Sequence, residues 1–212
     1  MEAADRQWEV EERALLDAID QAVEVMEREG VPYVFMGGIA SSVHGRPRWT
    51  HDVDLLVRPQ HARPVLRAFR DTGFRTEESD PFWLFKAWYE DVLVDVIFRS
   101  HGDIYLDDEM LARAGKADFM GRQLRVIPAE DLLVIKALVH AEHSPRHWHD
   151  GLALIANCDL DWDYVLQRAN HGPRRVLSML FYAQSNDLAV PDAAIARLLE
   201  LLEGREVQVL AS

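Results

Sequence analysis

The sequence predicts an α+β fold: a small mixed sheet with flanking helices, followed by an α-helical C-terminal region. Three observations carry that expectation. Short apolar runs, "VPYVFM", "DVDLLV" and "VLVDVIF", read as strands. Stretches with apolar residues at helical spacing lie between them. From Pro128 onward every segment has helical spacing and no strand pattern follows. A boundary near residue 127 therefore divides an α/β domain, residues 1–127, from a helical domain, residues 128–212.

"WEVEERALLDAIDQAVEVMEREG" places Leu15, Leu16, Ile19, Val23 and Met26 at helical spacing and ends at Gly30. "VPYVFM" is a strand that runs into Gly37-Gly38, and "IASSVHG" is a short helix closed by Gly45. "DVDLLV" is a strand. "PQHARPVLRAFRDTG" is a helix with Pro64 in its early turns. "FWLFKAWYE" and "VLVDVIF" form an antiparallel hairpin about Glu90-Asp91, "DDEMLARAG" a short helix, and "KADFM" with "LRVI" a second hairpin about Gly121. Beyond Pro128 come helices in "PAEDLLVIKALVHAEH", "HWHDGLALIANC", "DWDYVLQRANHG", "GPRRVLSMLFYAQSN" and "PDAAIARLLELLEG".

Composition narrows the function. Of 212 residues, 49% are apolar, which supports a real core. No apolar run reaches the roughly 18–20 residues that span a membrane. The first residues, "MEAADRQWEVEER", are acidic and lack the apolar core of a secretory signal, so the expected location is cytoplasmic. Cys158 is the single cysteine, which excludes an intramolecular disulfide and a thiolate zinc cluster. The net charge of −13 argues against a broad nucleic-acid surface, which is built from Lys and Arg. A local basic pocket remains compatible with it, and Arg46, Arg48 and Arg58 fall in or directly beside one stretch.

That stretch is "MGGIASSVHGRPRWTHDVDLLV", Met36 to Val57. On a strand, residues i and i+2 share a face, so Asp52 and Asp54 point the same way. Asp95, in "VLVDVIF", has apolar neighbours on both sides and must be paired, protonated or metal-bound. If the strands are neighbours, three carboxylates converge. A divalent cation relieves their repulsion, and hard oxygen ligands select Mg²⁺ or Mn²⁺. Gly37 and Gly38 at a strand-to-helix junction allow close backbone approach to a phosphate, with Ser41 adding a hydroxyl. Together these features suggest metal-assisted transfer on a nucleoside triphosphate.

The double glycine opening a helix, then Arg48-Trp49-Thr50-His51-Asp52-Val53-Asp54, then Asp95 in a later strand, resembles the DNA polymerase beta-like nucleotidyltransferase superfamily. The similarity is greatest to small bacterial members, including the AbiEii-like toxin transferases. It covers about residues 32–100 well and the helical half more loosely. The resemblance implies that Asp52 and Asp54 hold two metals and that Asp95 holds the catalytic one and helps activate the attacking hydroxyl. It implies nucleotide-binding roles for Gly37, Gly38, Ser41, Arg48, Thr50 and Lys136, the last from the proline-led helix "PAEDLLVIK". It further implies an NTP substrate, an acceptor hydroxyl on an RNA end, a protein or a small molecule, and a cognate antitoxin or a second copy of the chain as partner. Gly37-Gly38 stands where many members carry Gly-Ser, and "HWHD", His147 to Asp150, stands where AbiEii-like proteins show Arg-x-Lys-Asp.

Blander alternatives exist for each feature. A D-x-D pair alone is a weak signal, Gly-Gly is often only a turn, and Lys136 could mark a solvated helix face. A non-catalytic nucleotide- or partner-binding module on the same fold would be marked by a missing carboxylate, and none is missing. The spacing of His140, His143, His147 and His149 fits no familiar zinc site, so they are expected to line the mouth of the active site instead. The six tryptophans read mostly as core or interface, although Trp49, beside the motif, could stack on a base.

Overall fold

The computed structural model describes residues 2–210, with side chains from 8 to 204. Two compact units are present. One comprises Met1–Val43, Pro47–Ser100 and Tyr105–Ile127, and the other His44–Arg46, His101–Ile104 and Pro128–Ser212.

The first unit is built on a seven-stranded mixed sheet. Its elements are α1 (Glu2–Arg28), β1 (Tyr33–Phe35), α2 (Gly37–Val43), β2 (Asp52–Val57), α3 (Pro59–Asp71), β3 (Arg75–Asp80), β4 (Leu84–Tyr89), β5 (Val92–Ile97), α4 (Asp108–Arg113), β6 (Gly115–Phe119) and β7 (Arg122–Val126). The strand order is β3-β4-β5-β2-β1-β7-β6. β2 pairs with β5 and β1 with β7 in parallel; the other pairs are antiparallel. α1 buries Leu15, Ile19, Ala22 and Met26, one stripe of a helix, as the spacing required. α3 begins on Pro59 at its first position, where a missing N–H costs nothing. β3, "RTEESD", was not expected from the sequence. It is a polar edge strand, held by the backbone of β4 and by the Arg75 guanidinium 3.7 Å above the Trp88 ring. α2 starts at Gly37, whose positive φ makes it the turn that opens the helix, and Gly38 already lies inside it.

The second unit holds α5 (Ala129–Val139), α6 (Arg146–Asn157), α7 (Trp162–Ala169), α8 (Pro173–Ser185) and α9 (Asp192–Leu210). α5 is buried nearly all round, with Leu132, Leu133, Val134 and Ala137 fully enclosed. Two charges on it are also buried, and each is paired. Asp131 accepts from the Tyr164 hydroxyl at 2.7 Å and faces Arg168. Lys136 donates to Asp150 at 2.9 Å, and Arg46 pairs with the same carboxylate. Among the described residues no helix is long and apolar enough to cross a membrane.

Candidate active site

Strand register builds the site. The parallel pairing of β2 with β5 sets Asp54 opposite Asp95, Val53 opposite Val94 and Leu55 opposite Val96. Val53, Leu55, Val94 and Val96 are wholly enclosed on one face of the sheet. Asp52, Asp54 and Asp95 share the other, half-buried face. β4 extends the row with Lys86, registered against Asp95. Lys86 was missed in the sequence, although a signal existed. A two-residue turn at Glu90-Asp91 pairs Tyr89 with Val92, which puts Lys86 opposite Asp95 three steps along.

The double glycine has a physical task of its own. Gly37 adopts φ +59°, and a Cβ there would stand 1.7 Å from Asp54 Oδ2. A Cβ on Gly38 would stand 2.3 Å from Thr50 Oγ1. Both glycines are therefore needed to admit the side chains of Asp54 and Thr50, whatever else their backbone meets. Thr50 is buried and donates to Asp52 Oδ1 at 2.6 Å, so it fixes that carboxylate. Ser41 is only 1% exposed and donates to the Gly37 carbonyl at 2.7 Å, which makes it a brace of the turn rather than an outward-facing hydroxyl. Arg48 Nη1 donates to the Trp49 carbonyl at 3.2 Å, and its Nη2 lies beside Gly38.

The expected convergence of three carboxylates takes a specific form. They share a face and a register, but each oxygen set has its own neighbour: Asp52 the Thr50 hydroxyl, Asp54 the Gly37 backbone. As the side chains lie, no three of the described His, Cys, Asp and Glu residues form a ready metal-ligand set. Asp95 carries the cost. Burial pushes its carboxyl from 3.8 up to about 6, Asp52 adds to the rise, and Lys86 opposes it. Its Oδ1 is buried without a hydrogen-bond partner. A partnerless carboxylate oxygen beside two further carboxylates is a donor set that fits a hard divalent cation.

Lys136 and the histidines belong to the helical unit. At 3% exposure, with its ammonium on Asp150, Lys136 is a buried ion pair and not a solvated face. Asp150, the last residue of "HWHD", is the fully enclosed acceptor. The His140 ring lies 4.8 Å from Trp148, which in turn meets Tyr182 edge-on at 5.5 Å. No grouping of the described histidines forms a metal site.

The mixed sheet thus presents a D-x-D pair and a registered third aspartate beside a glycine turn. The chain belongs to the family described as uncharacterised nucleotidyltransferases, whose model matches residues 1–185. No curated protein matches the sequence. Among solved structures, the chain is similar to the antibiotic-resistance factor ANT(2'')-Ia, with 16% identity over 94% of this chain and 96% of that one and a TM-score of 0.48. It is similar to the lincosamide antibiotic adenylyltransferase LnuA, solved with lincomycin, with 19% identity over 69% and 98% and a TM-score of 0.49. A putative nucleotidyltransferase from Thermotoga maritima gives 15% identity over 53% and 76% and a TM-score of 0.42.

Proposed function

We propose that the protein is a Mg²⁺- or Mn²⁺-dependent nucleotidyltransferase that moves a nucleoside monophosphate from an NTP to an acceptor hydroxyl. The observation that carries this is the register of Asp54 with Asp95, with Asp52 on the same face and Asp95 Oδ1 left without a partner. Asp52, Asp54 and Asp95 would hold the cation, which supplies neutralising charge against the triphosphate and acidifies the attacking hydroxyl. The acceptor oxygen attacks the α-phosphorus, the bond from the α-phosphorus to the bridging oxygen of the β-phosphate breaks, and pyrophosphate leaves. The resemblance gives Asp95 a part in activating the attacking hydroxyl, whose proton it would accept. Thr50 keeps Asp52 aimed, and Gly37, Gly38 and Arg48 border the triphosphate. Ser41 acts as a brace, and Lys136 serves the helical unit.

The net charge of −13 favours an acceptor without a long phosphate backbone, a small molecule or a protein side chain, over extended RNA. A short RNA end and a toxin–antitoxin role of the AbiEii-like kind are the narrower alternatives, with the reaction in the cytoplasm. Two measurements test the function. Calorimetry with an NTP should show binding in Mg²⁺ and little in EDTA, because bare carboxylates repel a polyanion. Equal affinity in both would sink the metal-bridged site. Incubation with each labelled NTP, Mg²⁺ and a cell extract should then label one acceptor. Binding without transfer to anything would favour a non-catalytic nucleotide-binding module.

A further inference from the structure

The carboxylate face accounts for phosphates and metal, and leaves the nucleobase without a seat. A cavity of about 290 Å³ lies within the α/β unit, walled in part by Arg48, Trp49, Thr50, Asp118, Phe119 and Met120. Thr50 is the residue that donates to Asp52, so the cavity lies next to the carboxylate face. Its volume lies just below the roughly 300–1,000 Å³ of ligand pockets, which suits one planar ring system and not a whole acceptor.

Its walls have the chemistry of a base site. Trp49 is held in place before any ligand arrives: Trp8 meets it edge-on at 4.8 Å, and its Nε1 donates to His51 Nδ1 at 3.0 Å. A fixed indole loses little entropy on binding. Phe119, at the end of β6, and Met120, in the turn of the β6–β7 hairpin, add an aromatic ring and a thioether. Asp118 supplies the one carboxylate of the wall. Its oxygens meet Gly121 N at 3.3 Å and Gln123 Nε2 at 3.4 Å, both long bonds that leave acceptor capacity. A carboxylate can only accept, so it favours an edge that presents an amino group. Adenine, guanine and cytosine carry one. Uracil presents two carbonyls about a single N–H.

We infer that this cavity seats the nucleobase of the NTP, with Trp49 as its stacking wall and Asp118 reading an exocyclic amino group. The inference rests on the nucleotidyl-transfer function proposed above. Arg48, at the same cavity, then stands where base and triphosphate meet.

The test is direct binding in Mg²⁺ of ATP, GTP, CTP, UTP and inorganic tripolyphosphate to the full chain and to Trp49→Ala, Trp49→Phe and Asp118→Asn. Trp49→Ala should weaken the NTPs on the order of tenfold or more and leave tripolyphosphate unchanged, because stacking touches only the base. Trp49→Phe should recover most of the loss, which separates stacking from misfolding. The wild type should prefer the amino-bearing NTPs to UTP, and Asp118→Asn should remove that preference. Unchanged NTP affinity in Trp49→Ala, or an equal loss for tripolyphosphate, overturns the base site. So does a preference over UTP that survives in Asp118→Asn. A wild type that binds tripolyphosphate and every NTP equally also overturns it. A wild type that binds no NTP at all overturns the nucleotidyl-transfer function and the base site with it.

Discussion

Two sets of carboxylates in this chain, one fully enclosed and one half-buried, are treated in opposite ways. In the helical unit, Asp150 receives both Lys136 and Arg46, and Asp131 accepts from Tyr164 and is ion-paired with Arg168. In the α/β unit, Asp95 keeps a buried oxygen with no partner and stands in a row with Asp54. A carboxylate placed for stability is surrounded by donors, because an unpaired buried charge is costly. On the proposed function, a carboxylate placed for chemistry is left open to what arrives later. On that reading the difference separates residues that hold the fold from those that would act.

The comparison breaks most visibly at Asp150. Asp150→Ala strands the Lys136 ammonium in the core, and should cost about 3–5 kcal/mol of stability by urea denaturation. Asp54→Asn, on the half-buried face, keeps the size of the side chain and should move the urea midpoint far less, while abolishing transfer of labelled nucleotide. If Asp54→Asn destabilises as much as Asp150→Ala, the two sets are alike and the site loses its distinction. The next effect is smaller. Arg48→Ala should weaken NTP binding by about 1.5–3 kcal/mol, the worth of a charge-assisted hydrogen bond, and NMP binding by less. An unchanged ratio of NTP to NMP affinity would assign Arg48 to the surface.

The sequence made some of this contrast legible and hid the rest. Period-2 patterning placed Asp52 with Asp54 and enclosed Val53 and Leu55, because the pleat leaves no other arrangement. Apolar runs exposed β1, β2, β4 and β5. "RTEESD" hid β3, since an edge strand with little buried surface has no apolar period to read. The helix "AEDLLVIKALV" carries apolar residues on every side, and that pattern foretells a buried Lys136 better than a solvated one. The need for Gly37 and Gly38 could not be read locally. It depends on Asp54 and Thr50, which reach them from other parts of the chain. The loss of Ser41 to the Gly37 carbonyl is likewise a matter of three-dimensional packing.

The smallest effect tests the open carboxylate itself. Asp95 titrates near 6 in the folded protein and at about 3.8 when unperturbed. Below the lower value it is protonated in both states and costs nothing. Between the two, the unfolded chain releases a proton that the fold retains. Above the higher value it is ionised in both, and the full cost of an enclosed charge is present. This group's contribution is therefore favourable in acid and is lost as pH rises from about 4 through about 6. An unscreened shift of that size corresponds to roughly 3 kcal/mol, and partial exposure reduces it to about 1–2 kcal/mol. Asp95→Asn removes the charge and keeps the size. In EDTA at pH 7.5 it should be more stable than the wild type by that about 1–2 kcal/mol, and the advantage should vanish near pH 4. In Mg²⁺ with NTP the order should reverse, because the wild type gains stability by binding and the variant, with an incomplete donor set, gains less. Thermal scans of both proteins across pH, with and without Mg²⁺ and NTP, read all of this. An Asn variant that is less stable than the wild type in EDTA at neutral pH would show that Asp95 is hydrogen-bonded for structure, like Asp150, and the contrast between the two sets would fall with it.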